Sequence, residues 1–156
     1  MKALVFQDIK RVSCERVPDP SIEDPHDIIV RSLCSGLCGS DLHVYHGREV
    51  GLDAGTVMGH EVVGEIVEVG NQVSTLKTGD VVFCPFTTNC GRCYYCEVGL
   101  TARCERGQLF GWVEKGKGLH GTQAEYVRVP MAESTVMKVP SELPVEDALL
   151  MGDNFT

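Results

Sequence analysis

The chain has 156 residues, 43% of them apolar, which is enough for one ordinary hydrophobic core and too little for two large ones. Its formal charge of −8 repels phosphate backbones, so no nucleic-acid partner is expected. No apolar run reaches the roughly 18 residues of a membrane span, and the N-terminus turns charged too soon for a secretory signal, so a cytoplasmic, thiol-reducing setting is expected.

In chain order, Met1 to Phe6 reads as a short strand. The stretch CERVPDPSIEDPHD, Cys14 to Asp27, carries three prolines and several acids and reads as extended or turning. Ile28 to Leu33 (IIVRSL) reads as a buried strand that feeds into the polar stretch Cys34 to Gly47. His60 to Gly70 is a second strong strand, with Gly64 at a bulge or a close backbone approach. A turn at Thr78-Gly79-Asp80 precedes a third strand. Ala124 to Pro130 alternates Tyr126 and Arg128 with Val127 and Val129, a fourth strand. The one good helix signal is LPVEDALLM, with Pro144 near its first turn and Glu146 and Asp147 beside the N-terminal end of the dipole. With 17 glycines and little 3.6-residue periodicity, a mainly β fold with a few short helices is expected. No Gly-x-Gly-x-x-Gly follows a predicted strand, so no dinucleotide fingerprint is expected.

The eight cysteines point to metal in a reducing compartment. Cys90, Cys93, Cys96 and Cys104 are separated by two, two and seven residues. Four thiolates at about 2.3 Å complete the tetrahedral shell of zinc and leave no open position, so this set predicts a structural site. The competing readings are buried core cysteines or two disulfides. The interleaved Arg92, Glu97, Arg103 and Glu105 do not look like core. Cys38, after one strand, and His60, before another, are candidates for a second metal; from the residues alone they equally suit a buried thiol and a structural histidine.

CGSDLH at 38–43, GHEVVGEIVEVG at 59–70, GDVV at 79–82, the cysteine array and GTQAEYVRVP at 121–130 occur in an order that resembles the zinc-dependent medium-chain alcohol dehydrogenase family over essentially the whole chain. The resemblance implies that residues 1–156 form a GroES-like catalytic domain, a partly open β-barrel with a zinc-binding lobe at about 84–112. It implies Cys38, His60 and Asp153 as ligands of a catalytic zinc, the last in the manner of the branch that uses aspartate. Cys90, Cys93, Cys96 and Cys104 would hold a structural zinc. Glu61 corresponds to a glutamate behind the catalytic zinc; its bland alternative is a surface glutamate opening a strand. Asp41 corresponds to the carboxylate that orients the histidine ligand; the alternative is a turn or cap aspartate. Ser40 corresponds to the hydroxyl that contacts the alcohol, and His43 to the relay histidine. Standing alone, either would read as a solvated loop residue.

The implied reaction is oxidation of an alcohol or polyol to a carbonyl, through an alkoxide on zinc and hydride transfer to NAD or NADP. The implied partners are a small alcohol or carbonyl substrate and a Rossmann domain expected beyond residue 156, with homo-oligomers at full length. The 156 residues alone are therefore expected to be inactive, with the catalytic site incompletely ligated because Asp153 lies near the chain end, and to self-associate through exposed apolar surface and sheet edges. A stand-alone zinc-binding interaction module is the alternative, and a thiol redox switch through Cys90 to Cys104 is a third reading. Arg48 to Thr56 hints at a pocket loop. His26, His46 and His120 read as loop residues, Cys14, Cys34 and Cys84 as packing, and Trp112 and Phe110 as packing for the lobe. Gly36 and Gly39 are expected to let the loop bend toward the metal.

Overall fold

A computed structural model describes residues 1–155. Strand β1 (Lys2–Asp8) pairs with β2 (Arg11–Arg16) as an antiparallel hairpin, in register from Lys2 with Arg16. There follow β3 (Ile28–Ser35), α1 (Gly39–Tyr45), β4 (Val62–Val69), β5 (Val81–Cys84), α2 (Tyr94–Glu97) and a 3-10 turn at Thr101–Arg103. The chain continues through β6 (Trp112–Glu114), β7 (Lys117–Leu119), β8 (Tyr126–Val129), α3 (Ala132–Thr135), β9 (Met137–Lys138) and α4 (Val145–Leu149). Five strands form one antiparallel sheet in the order β8-β3-β4-β5-β9. β6 and β7 make a second hairpin. Isolated bridges, Ala3 to Ala124 and Val5 to Val57, tie the first hairpin to the body. The expected mainly β fold with short helices is present, as three linked sheets rather than one closed barrel.

Strand alternation explains how the central sheet buries both faces. In β4, Val62 and Ile66 enter the main core with Ile28, Val30, Val82 and Val129, while Val63 turns the other way. There it meets Phe83, Ala148 and the apolar side of α4, including Val145 and Leu149. Each such aliphatic side chain contributes about 1.5–3 kcal/mol when fully buried. Helix α4 packs against β3 and β4, and the residues just after it come close to the segments that leave β3 and enter β4.

Gly64 pairs with Ser32 where β3 carries an irregularity between Ser32 and Cys34. A Cβ at Gly64 would overlap the Arg31 carbonyl oxygen and Val30 Cγ1. Gly64→Ala is expected to destabilise the chain by about 2–3 kcal/mol through overpacking against backbone, seen calorimetrically as a Tm fall of roughly 5–10 °C. An unchanged Tm would show that the β3–β4 spacing does not depend on this glycine.

Several local expectations are corrected. Part of the segment expected to be merely extended belongs to β2, whose Cys14 is exposed rather than packed. Helix α1 and the short α2 and α3 were not foreshadowed by periodicity, and α4 is shorter than LPVEDALLM. Phe110 lies in the main core, and Trp112 packs with Phe6, Val44 and Met58 rather than within the cysteine lobe. Cys84 is a core residue, and burial pushes its thiol up to about 12. The string GKGLHG at 116–121 does spell Gly-x-Gly-x-x-Gly, but it runs from the β6–β7 turn through β7 and on toward β8 without opening a helix, so it offers no helix N-terminus to a pyrophosphate. No helix of the described residues is long and apolar enough to cross a membrane.

Candidate metal centres

The turn-rich segment between β5 and β6 gathers Cys90, Cys93, Cys96 and Cys104, with all four sulfurs within 4.8 Å of one another. All four are free thiols. Cys93 Sγ lies 3.5 Å from Cys96 Sγ and 3.9 Å from Cys104 Sγ. Ligands at about 2.3 Å in a tetrahedron stand about 3.8 Å apart, so the donor set fits zinc. The backbone favours thiolates here. Cys104 Sγ accepts the N–H groups of Cys90 at 3.3 Å and Arg106 at 3.4 Å. Backbone hydrogen bonding from Cys96 and Glu105 draws the Cys93 thiol down to about 6. Desolvation pushes Cys96 up to about 11. The neighbouring Asn89 is buried and its N–H donates to Thr135 Oγ1 at 3.1 Å, which moors the lobe to α3.

A second cluster forms from segments far apart in sequence. Cys38, His60, Glu61 and Asp153 each place one donor atom within 4.8 Å of the others. Cys38 is the N-cap of α1, at the end of the loop from β3. His60 and Glu61 precede β4, and Asp153 follows α4. Cys38 Sγ is 3.4 Å from Asp153 Oδ2, and His60 Nε2 is 3.8 Å from the same oxygen. On the other side of the imidazole, Nδ1 is 3.8 Å from Asp41 Oδ1. Asp41 Oδ2 accepts the Cys38 N–H at 2.9 Å. One Asp41 oxygen thus caps the helix, and the other faces the histidine.

Glu61 is buried beside the cluster, and this desolvation raises its carboxyl above the ordinary value; His60 opposes the rise and Asp153 adds to it. A thiol and two carboxylates around one imidazole, with Asp41 behind, form a donor set whose mutual repulsion a divalent cation relieves. The soft, borderline and hard donors together suit zinc. A Cβ at Gly36 would overlap Glu61 Oε2, so Gly36 supplies room for the glutamate, whereas a Cβ at Gly39 meets nothing. Neither adopts a positive φ, so the expected bending role is replaced by clearance at Gly36 alone.

Ser40 Oγ lies 3.8 Å from Cys38 Sγ. His43, one helical turn on, is half exposed and faces Glu49 at 3.8 Å. A cleft of about 300 Å³ runs from Ser40, His60 and Asp153 between Leu52, Phe86 and Trp112. A larger cavity of about 450 Å³ opens between the cysteine lobe and the β8 edge. It sets Arg92, Arg106 and Arg128 against Asp24, Asp27 and Glu133, beside Cys90 of the cysteine lobe.

Residues missed by spacing hold this site in place. The Glu61 carbonyl accepts the hydroxyls of Ser35 at 2.9 Å and Thr122 at 3.1 Å and the Gly36 N–H at 3.2 Å. Gln123 reaches Asp41 across the chain. The side chains of Ser35, Thr122 and Gln123 reach partners 26 to 82 residues away, beyond the reach of any local pattern.

The model of the alcohol dehydrogenase GroES-like domain matches residues 24–141. The chain belongs to this family. It is 48% identical over 155 residues to a medium chain reductase/dehydrogenase of Acremonium sp, covering 99% of this chain and 52% of that protein. It is 47% identical over 155 residues to zinc-type alcohol dehydrogenase B of Aspergillus flavus, covering 99% of this chain and 35% of that one. Among solved structures, the alcohol dehydrogenase TADH from Thermus sp. ATN1 superposes with a TM-score of 0.93 at 40% identity, over 98% of this chain and 44% of that chain. The GroES-like chain thus spans about half, or less, of the length of these relatives.

Proposed function

We propose that these residues are the substrate-activating part of a zinc-dependent, NAD- or NADP-linked alcohol or polyol dehydrogenase. The observation that carries this reading is the convergence of Cys38, His60, Glu61 and Asp153 at one end of the cleft. Zinc held by Cys38, His60 and Asp153 supplies Lewis acidity that makes a hydroxyl acidic near neutral pH. A nicotinamide cofactor, held outside these 156 residues, supplies the hydride-accepting chemistry. Glu61 serves as a neighbouring carboxylate behind the donors. A metal in the four-cysteine centre serves structure alone, because four thiolates leave no position for substrate.

Within the cleft, Ser40 stands next to Cys38, and its hydroxyl relays the proton of a bound alcohol, taking that proton while giving its own onward in the direction of His43. His43, further along α1, half exposed and 3.8 Å from Glu49, passes a proton to solvent. Asp41 holds the His60 ring from the far side. Leu52, Phe86 and Trp112 line the rest of the cleft and favour a small alcohol with an apolar body.

The 156-residue chain alone is expected to show no NAD(P)-dependent turnover on a panel of primary, secondary and polyhydric alcohols. The same residues expressed with the remainder of their reading frame are expected to turn over, and Ser40→Ala in that longer protein to lose roughly a hundredfold in kcat, the lower range for a lost proton-transfer group. Robust cofactor reduction by the 156 residues would contradict the division of labour. A longer protein that binds zinc yet reduces no cofactor would favour an interaction module.

A further inference from the structure

Gln123 lies in the turn before β8 and is 82 residues from Asp41 in sequence. Its Nε2 donates to the Gly36 carbonyl at 3.0 Å and to Asp41 Oδ2 at 3.2 Å. Both partners are acceptors, which fixes the amide with its nitrogen toward Asp41. Asp41 Oδ2 also accepts the Cys38 N–H, so that oxygen carries two donors and Oδ1 is left to face His60 Nδ1.

The backbone of Gln123 is pinned on both sides. Its N–H donates to the Met58 carbonyl at 2.9 Å, and its carbonyl accepts the Leu4 N–H at 2.8 Å. Gly59, the neighbour of His60, has φ +93, and a Cβ there would overlap Gln123 Cγ. The chain is bare where the glutamine passes. Gln123 Oε1 is buried with no hydrogen-bond partner among the described residues. An apolar side chain of equal length would avoid that desolvation, so what the amide contributes is its donor.

We propose that Gln123 is a positioning residue of the Cys38–His60–Asp153 centre. Its amide clamps Asp41, and the clamped carboxylate holds His60 with Nδ1 protonated and Nε2 free to coordinate. The consequence for metal affinity rests on the zinc reading above; the clamp itself does not.

Gln123→Met keeps length and removes the donor. In chelator-treated protein at pH 8, nitrogen NMR of His60 is expected to show the Nδ1–H tautomer in the parent and a mixture in the variant. Cobalt affinity at the Cys38 centre is expected to fall about tenfold, the lower end for loss of a group that orients a ligand. Affinity at the four-cysteine centre should not change. Gln123→Glu places an acceptor against Asp41 and is expected to weaken cobalt binding further, which tests the clamp should the methionine variant fold poorly. An unchanged tautomer and affinity would overturn the proposal, as would weakening of both centres in step with Tm. A parent with the Nδ1–H tautomer that takes no cobalt at Cys38 would support the clamp and overturn the zinc reading.

Discussion

Cys104→Ser is expected to empty the four-cysteine centre, lower the Tm by about 10 °C and release the segment around 90–106 from hydrogen-exchange protection. The lobe has little else to hold it. Neither α2 nor the 3-10 turn contains a buried residue, and Tyr94, Val98 and Leu100 are exposed. Cys104 Sγ is the acceptor for two backbone N–H groups as well as a donor atom of the cluster, so one change removes a ligand and leaves those groups without their sulfur. Structural zinc in small domains is worth about 10–16 kcal/mol of apparent binding energy. Only the part coupled to the body appears in the global transition, and about 3–4 kcal/mol corresponds to the stated fall in Tm. The five-stranded sheet should stay folded, because its core draws on Ile28, Val30, Val62, Ile66 and Val82 rather than on the lobe. Unchanged metal content and Tm would show that the lobe does not depend on metal.

Cys38→Ser is expected to give the opposite pattern: loss of one metal ion, loss of activity in the longer protein, and a Tm within a few degrees of the parent. The Cys38 centre is assembled on elements that are already folded. Its donors lie beside β4, at the N-cap of α1 and after α4. With no cation bound, the Cys38 thiol donates to Asp153 Oδ2 at 3.4 Å, a contact that a serine hydroxyl can also make. The substitution keeps a donor facing Asp153, so stability should not suffer. Activity should. Lewis-acid stabilisation worth about 4 kcal/mol corresponds to roughly a thousandfold in kcat. Calorimetry, metal analysis and alcohol-dependent cofactor reduction on the parent and variant check the three parts. Full activity in Cys38→Ser would remove this residue from the centre.

The two centres were legible in the sequence to different degrees for a physical reason. The four-cysteine set is local: spacings of two, two and seven residues are the geometry, and the structure brings those sulfurs together. Cys38, His60 and Asp153 have no common period. They meet only because β3 and β4 pair and α4 packs across them, and from the residues alone the pair Cys38 and His60 remained open to a bland reading. Family resemblance supplied the convergence that spacing could not. Strands β3, β4 and β8 were readable because valine and isoleucine runs mark buried sheet. β2 was not, because RVSCER has a mostly exposed surface and pairs at the edge of a hairpin. α1 was hidden by its seven-residue length and by opening with Gly-Ser-Asp, which also reads as a loop. Asp41 was legible as a cap residue, because its acceptor lies three residues from Cys38, whereas its approach to His60 is set by tertiary structure. Gln123 went unread because its partners are set by tertiary structure alone.

Two metal centres of different kind in one chain are the central expectation. A zinc competition titration against a chromogenic chelator tests this directly on the parent, Cys38→Ser and Cys104→Ser. Two zinc equivalents in the parent are predicted, one held much more tightly than the other, with Cys104→Ser losing the tight one and Cys38→Ser the weaker one. A single equivalent in the parent, or a Cys38→Ser chain that still holds both, would contradict it.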